Sequence, residues 1–407
     1  MNHLLGQRAQ DRLKQLAECS ASEFGVTRLP FTKEHHKANA LLKGWMEEAG
    51  LTVHVDDAGT LIGRYDAGDN APTLLMGSHQ DSVKQGGSYD GIMGIVLPII
   101  ALDALNRQGG KLPYSVEILA FADEEGVRFP TALVGPRALA GTLDERVIDR
   151  KDKNGITLRH ALKDFGVNPD NIGLLKRDAS KILGFIETHI EQGPVLEHED
   201  VPLGVVSAIS GIERHQLTFT GQAAHAGTVP MHLRKDALTA AAEVIQEAEK
   251  LAIKIPDLLA TVGQLDVTPN VVNAIPGNVS MSIELRSPID EVREKAGEIL
   301  QVFARDTALL RGLDCDIKRT YSQSATECDH SLQLAITRAI VATQCRVHQL
   351  PSGATHDASA MSDLTGVAML FVRCKKGISH NPAEYASDED MGLAIDALIS
   401  LLINIRS

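Results

Sequence analysis

Residues 94–106, GIVLPIIALDALN, carry a single charge, Asp103. A helix apolar nearly all round has no face to give to water and must be covered on every side. It is also too short for a bilayer, which takes about 20 apolar residues. Two short β-rich runs flank it, 73–76 and Ser115–Phe121. Strand, apolar helix, strand is the order of a crossover on a buried mixed or parallel sheet. Upstream, helical patterning places Leu4, Leu5, Leu13, Leu16 and Ala17 on one face, and a second amphipathic helix covers 33–49. Strands at 51–55 and 60–65 then flank Asp56-Asp57-Ala58-Gly59, a hairpin turn.

From 211 to about 319 the pattern changes to strand (215–220), helix (234–253), strand (260–267), strand (278–285), helix (290–310) and strand (315–321). This βαββαβ order is the split arrangement of a ferredoxin-like unit. The α/β pattern resumes with a helix at 331–343, a strand at 369–372 and a closing helix at 391–405. The expected architecture is therefore a mixed-sheet α/β catalytic domain from 1–210 and 322–407, with 211–321 inserted as a second domain. No repeat or long linker separates them, so the joints are expected to be short and hinge-like.

The balance of 40 Lys+Arg against 53 Asp+Glu, a net charge of −13, opposes sequence-independent binding to nucleic acid or to an anionic membrane. Five cysteines without a CxxC pair suit neither a disulfide framework nor a thiolate zinc site, and reduced thiols are expected. The first fifteen residues lack the apolar core of a signal peptide, so a cytoplasmic location is expected. The chain has no GxSxG, HExxH, P-loop or early GxGxxG, which removes the main support for serine hydrolase, zincin, NTPase and dinucleotide chemistry.

Five ionisable clusters stand in Gly-rich or strand-end contexts: His79-Gln80-Asp81 in GSHQDSV, Asp90 in GGSYDG, Glu124-Glu125 in FADEEG, His189 in ETHIEQGP and His380 in GISHNPAE. Singly, each reads as a solvated or locally bonded group. Together they supply the imidazole and carboxylate mixture that holds zinc, manganese, cobalt or nickel. In an extended Glu124-Glu125 pair the side chains point apart, so one can bind metal while the other serves as base and acid. His225, in GQAAHAGTVP, is a turn-closing residue or a ligand contact. Arg286, at a strand end, is a surface ion-pair partner or a carboxylate clamp. Gln192 and Asn273 are turn residues or amide donors. His356-Asp357 follow a loop (Ser352, Gly353, Ala354) whose amides suit an anion, and His35-His36 read as solvated surface.

The ordered motifs GSHQDSV, GGSYDG, DEEGVRF, THIEQGPVLE, HAGTVP, NAIPGNVSMSIELRS, SGATHDA and ISHNPAE span about 77 to 384. In them the chain resembles the hydantoinase/carbamoylase family of metal-dependent amidases, within the aminoacylase/carboxypeptidase-like superfamily. The resemblance implies a zinc-exopeptidase-like catalytic domain whose inserted domain acts as lid and dimerisation module. It implies two divalent ions, one on His79, Asp90 and His189, the other on Asp90, Glu125 and His380, with Asp90 shared. Glu124 would be the catalytic base and Asp81 the acid that orients His79. Gln192, His225, Asn273, Arg286 and the Gly353-Ala354 backbone would bind substrate, and His225 would act across a homodimer. Gln80 departs from the family's usual small or aliphatic residue, and Thr355 from its usual Gly. The implied reaction is hydrolysis of the carbamoyl bond of an N-carbamoyl-L-amino acid or related ureido acid to amino acid, carbon dioxide and ammonia. Allantoate or ureidoglycolate hydrolysis is the alternative, followed by N-acyl-amino-acid or dipeptide hydrolysis. A binding protein without catalysis would lack the base or a ligand, and neither is missing.

Overall fold

The computed structural model describes residues 2–405; Met1, Arg406 and Ser407, at the ends of the expected 1–210 and 322–407 segments, lie outside them. The fold is mixed α/β, in two compact units: Met1–Ser207, Cys328–Leu350 and Ala354–Ser407 form one, Ala208–Glu327 and Pro351–Gly353 the other.

The strands of the first half are β1 (Thr52–Val55), β2 (Leu61–Tyr65), β3 (Thr73–His79), β4 (Ser115–Phe121), β5 (Ile182–Ile190) and β6 (Leu203–Ile209). Next come β7 (Gly211–Thr220), β8 (Ala224–His225), β9 (Leu259–Thr261), β10 (Leu265–Thr268), β11 (Ala274–Ile275), β12 (Asn278–Ser287), β13 (Asp314–Gln323) and β14 (Thr326–Glu327), then β15 (His348–Ser352) and β16 (Val367–Val372).

In the first unit the sheet order is β1-β2-β4-β3-β5-β16-β6. The β1–β2 turn closes because Asp56 Oδ1 accepts hydrogen bonds from Ala58 N and Thr60 N, both 2.9 Å. The central strands β4, β3, β5 and β16 run parallel, while β2 and β6 join antiparallel. The apolar stretch is the helix Met93–Arg107, buried throughout Met93–Leu105, which crosses between β3 and β4 and packs on β3 and β5. Leu4, expected on the buried face of the first helix, is 71% exposed.

Strand β3 runs three residues beyond its expected end at Met76. Gly77 carries it on with φ 149°, and a Cβ there would lie 2.0 Å from Leu119 O, so only glycine lets β3 and β4 stay paired there. His79 therefore sits on a strand, opposite Phe121.

The histidine pair is divided. His36 is exposed, whereas His35 is buried, with Nδ1 accepting from Phe31 N at 2.9 Å and its ring 4.5 Å from that of Phe165. The reading of both as solvated surface fails at His35, whose ring lies against both Phe31 and Phe165, over a hundred residues away in the chain; His36 stacks on Phe165 too, at 4.0 Å, yet stays exposed.

In the second unit an antiparallel sheet has the order β10-β12-β7-β13, with β9 also on β12. Val279, Met281, Ile283 and Leu285 alternate along β12 and meet Leu217, Phe219 and the alanine-rich faces of helices Ala237–Lys254 and Asp290–Leu310. The strand expected at 260–267 is two strands, because between them Gln264 bonds Ser282 instead of continuing the ladder: its N–H donates to Ser282 Oγ and its carbonyl accepts from Ser282 N, both 3.1 Å.

Candidate metal centre

Four neighbouring parallel strands deliver the site at their carboxyl ends, where ligand crevices of α/β sheets lie. His79 ends β3, Glu124 and Glu125 follow β4, His189 is the penultimate residue of β5, and His380 follows β16. Asp90 comes from the loop between β3 and the apolar helix.

His79 Nδ1 lies 3.0 Å from Asp81 O, and His189 Nδ1 lies 2.8 Å from Ile190 O. A carbonyl oxygen only accepts, so each Nδ1 carries the proton and each Nε2 is left facing the site. Both Nε2 atoms approach Asp90 Oδ1, at 3.6 Å for His79 and 3.1 Å for His189. The other oxygen, Oδ2, lies 3.3 Å from His380 Nε2, which is 3.6 Å from Glu125 Oε2. The donor atoms of His79, Asp90 and His189 lie within 4.8 Å of one another, as do those of Asp90, Glu125 and His380. One oxygen of Asp90 thus faces each triad.

The charge balance calls for cations. Asp81, Asp90, Glu124, Glu187, Asp357 and Glu384 are buried here, and none pairs with a Lys or Arg among the described residues. Burial drives Asp357 and Glu124 well above the usual carboxyl range and Glu125 to about 7. Asp90 goes the other way: against its burial, the imidazoles of His189, His380 and His79, which carry a second proton while no ion is bound, hold it well below that range. Lone pairs on two imidazoles converging on one carboxylate, ringed by further acids, fit divalent metal ions of the zinc or manganese type.

Glu124 and Glu125 diverge as expected. Glu125 reaches His380, while Glu124 Oε2 stands 3.9 Å from His79 Nε2 and belongs to neither triad. Asp81 fixes this pair: its two carboxylate oxygens accept from Glu124 N (3.1 Å) and Glu125 N (3.2 Å). What holds the His79 ring is the Asp81 main-chain oxygen, the carboxylate being 3.7 Å from Nδ1.

Gln192 Nε2 donates to Asp90 Oδ2 at 2.8 Å and to Ser379 Oγ at 3.2 Å. His356 meets the His189 ring edge-on at 4.6 Å, and both oxygens of Asp357 are buried without a hydrogen bond. Ala354 also belongs to this unit. The second unit holds the other candidates. There β8 pairs with β11, setting His225 opposite Ala274, and Ala226 N donates to Asn273 O at 2.9 Å, so His225 and Asn273 are neighbours on one exposed ribbon. Arg286 donates through Nε to Glu284 (2.7 Å) and through Nη1 to Gly353 O; its Nη2 makes no hydrogen bond among the described residues.

Sequence reasoning passed over three groups. Glu187 accepts from Ser78 Oγ (2.7 Å) and Ala358 N (2.8 Å) behind His189; two-residue alternation along β5 would have put it on the His189 face. Ser379 and Glu384 lie inside the ISHNPAE motif and bond the Asp90 loop nearly 300 residues away, a pairing no local pattern encodes.

The profile of peptidase family M20/M25/M40 matches residues 75–404. The chain is 37% identical to the N-carbamoyl-L-amino acid amidohydrolase of Geobacillus stearothermophilus over 97% of each sequence. It is 38% identical to allantoate deiminase of Arabidopsis thaliana over 98% of this chain and 82% of that one. The crystal structure of a hydantoinase/carbamoylase family amidase from Burkholderia multivorans superposes with a TM-score of 0.93 at 32% identity, covering 98% of this chain and 97% of that one.

Proposed function

The chain belongs to peptidase family M20/M25/M40, and from that premise we propose that it is a dimetal amidohydrolase that cleaves the carbamoyl C–N bond of N-carbamoyl-L-amino acids, yielding amino acid, carbon dioxide and ammonia. The carrying observation is the sharing of Asp90 between two donor triads, with Glu124 beside them and outside both. Allantoate is the second reading, favoured by a curated allantoate deiminase as similar to the chain as the carbamoyl-amino-acid enzyme is.

In this reading His79, Asp90 and His189 hold one ion and Asp90, Glu125 and His380 the other. Zinc, manganese, cobalt and nickel all suit these donors, and such ions supply Lewis acidity and an acidified water. Glu124 takes the proton from the attacking water and returns it to the leaving nitrogen. In the ion-free protein burial, opposed in part by the His79 charge, raises its carboxyl well above the usual range. Asp81 holds Glu124 and Glu125 by their backbone amides and His79 by its own carbonyl.

Arg286 clamps the substrate carboxylate. Glu284 and Gly353 O fix its fork at Nε and Nη1, which leaves Nη2 for the ligand. Asn273 and Gln192 are amide donors to the ureido group, Gly353-Ala354 backbone lines the carboxylate side, and His225 stabilises the oxyanion from the partner of a homodimer. Losing one such oxyanion donor costs about 100- to 1,000-fold in rate. The inserted 211–321 segment is a ferredoxin-like lid and dimerisation domain in this scheme, and the enzyme works in the cytoplasm. No described helix is long and apolar enough to cross a membrane.

The test is ammonia release by metal-stripped protein reconstituted with manganese, cobalt, nickel or zinc, offered N-carbamoyl-L-amino acids, allantoate, ureidoglycolate, β-ureidopropionate and N-acetyl-amino acids. Metal-dependent turnover of a carbamoyl amino acid is expected. Turnover of the N-acetyl compounds alone, followed as released acetate, would refute the ureido assignment.

A further inference from the structure

Glu384 is buried 294 residues from Asp90 in sequence and belongs to neither donor triad. Its Oε1 accepts from Tyr89 N (2.8 Å) and Asp90 N (2.9 Å), and its Oε2 lies 3.0 Å from Ser379 Oγ. Ser379 Oγ in turn donates to Asp90 Oδ2 at 2.6 Å. The Asp90 loop makes room for this: a Cβ on Gly87 would fall 2.2 Å from the Glu384 carboxyl, so no side chain fits there. Burying a carboxyl beside another one is costly unless its hydrogen bonds do specific work. These bonds join the backbone of Tyr89 and Asp90 and one side-chain oxygen of Asp90.

The strap is one-sided. Asp90 Oδ1 faces His79 and His189, whereas Oδ2 faces His380 and receives both Ser379 and Gln192. Resting on the dimetal reading above, we propose that Ser379 and Glu384 are positioning residues for the second ion alone: they fix Oδ2 where it shares an ion with Glu125 and His380, and leave the ion on His79 and His189 to the strands that carry those residues. Hydrogen-bonding partners behind metal ligands are typically worth about 10- to 100-fold in metal affinity, and here that factor falls on one ion of two.

The experiment is equilibrium dialysis of the metal-stripped full chain against manganese, with bound metal counted per chain, for wild type, Ser379→Ala, Ser379→Thr and Glu384→Gln. Two ions are expected in wild type. Ser379→Ala and Glu384→Gln should weaken the second ion about 10- to 100-fold and the first less than about threefold, with Ser379→Thr, which keeps the hydroxyl, restoring the second. Equal weakening of both ions, or no change in either, overturns the proposal; since Ser379→Ala removes one oxygen from a partly exposed residue, a folding failure of Glu384→Gln leaves that comparison intact. A wild-type chain that binds fewer than two ions refutes the dimetal reading itself, an outcome separate from any result with the variants.

Discussion

The two donor triads share Asp90 and are otherwise built differently. His79 and His189 sit on neighbouring strands, almost without exposure, each with Nδ1 locked on a main-chain oxygen. Glu125 and His380 come from loops; the His380 side chain is 51% exposed and its backbone holds a positive φ of 54°. A site on strands is fixed by the fold before any ion arrives, while a site on loops needs its own supports, the role proposed for Ser379 and Glu384. In the proposed reading the difference separates an ion held by the sheet from one held by the loops around it.

Glu124 gives the hardest test, because it stands beside the strand-borne triad and binds with neither. Glu124→Gln should lower kcat about 100- to 10,000-fold while both ions remain, measured as turnover together with metal content. Loss of an ion in this variant would make Glu124 a ligand and redraw both triads. Next, the histidines should part company. His189→Ala opens a cavity under the sheet and should lower unfolding stability by about 2 kcal/mol or more as well as removing the first ion, whereas His380→Ala should leave the ion-free melting temperature nearly unchanged and remove only the second. Equal melting shifts would erase the distinction.

Arg286→Lys keeps the charge but loses the fork, and should raise KM about 10- to 100-fold with the binding of both ions untouched. The smallest effect is a pH slope. In the ion-free protein the hydrogen bond to Asp90 raises His380 to about 9, against burial and with help from Glu125. Since that proton must leave before the ring can bind metal, affinity for the second ion should fall by up to about tenfold per unit as pH drops below about 9. His380→Gln should flatten this slope, as read by metal titration at several pH values.

The candidate ligands were legible because each stands in a short motif at the end of a strand or beside a glycine, and strand ends are where an α/β sheet exposes chemistry. The parallel core followed from one apolar helix between two short strands. What stayed hidden was long-range. His35 looks like His36 in the sequence, and both rings meet Phe165; what sets His35 apart is Phe31, which packs on its ring and donates its N–H to Nδ1. The Asp81 carboxylate turned to the amides of the glutamate pair because β3 and β4 lie side by side. Ser379 and Glu384 reach Asp90 only through the parallel order of β3, β5 and β16, which no local pattern states. The run read as 73–76 is too short, because β3 continues through Gly77, where the close pairing of backbones leaves no room for a Cβ.

The central claim is that Asp90 is shared by two ions, one on the strands and one on the loops. Anomalous diffraction at the manganese edge, from crystals of this protein grown with manganese, tests it directly. The account predicts two peaks flanking Asp90, one touching His79 and His189, the other Glu125 and His380, with the second losing occupancy first as the metal is withdrawn. A single peak, or one whose neighbours exclude Asp90, would contradict it.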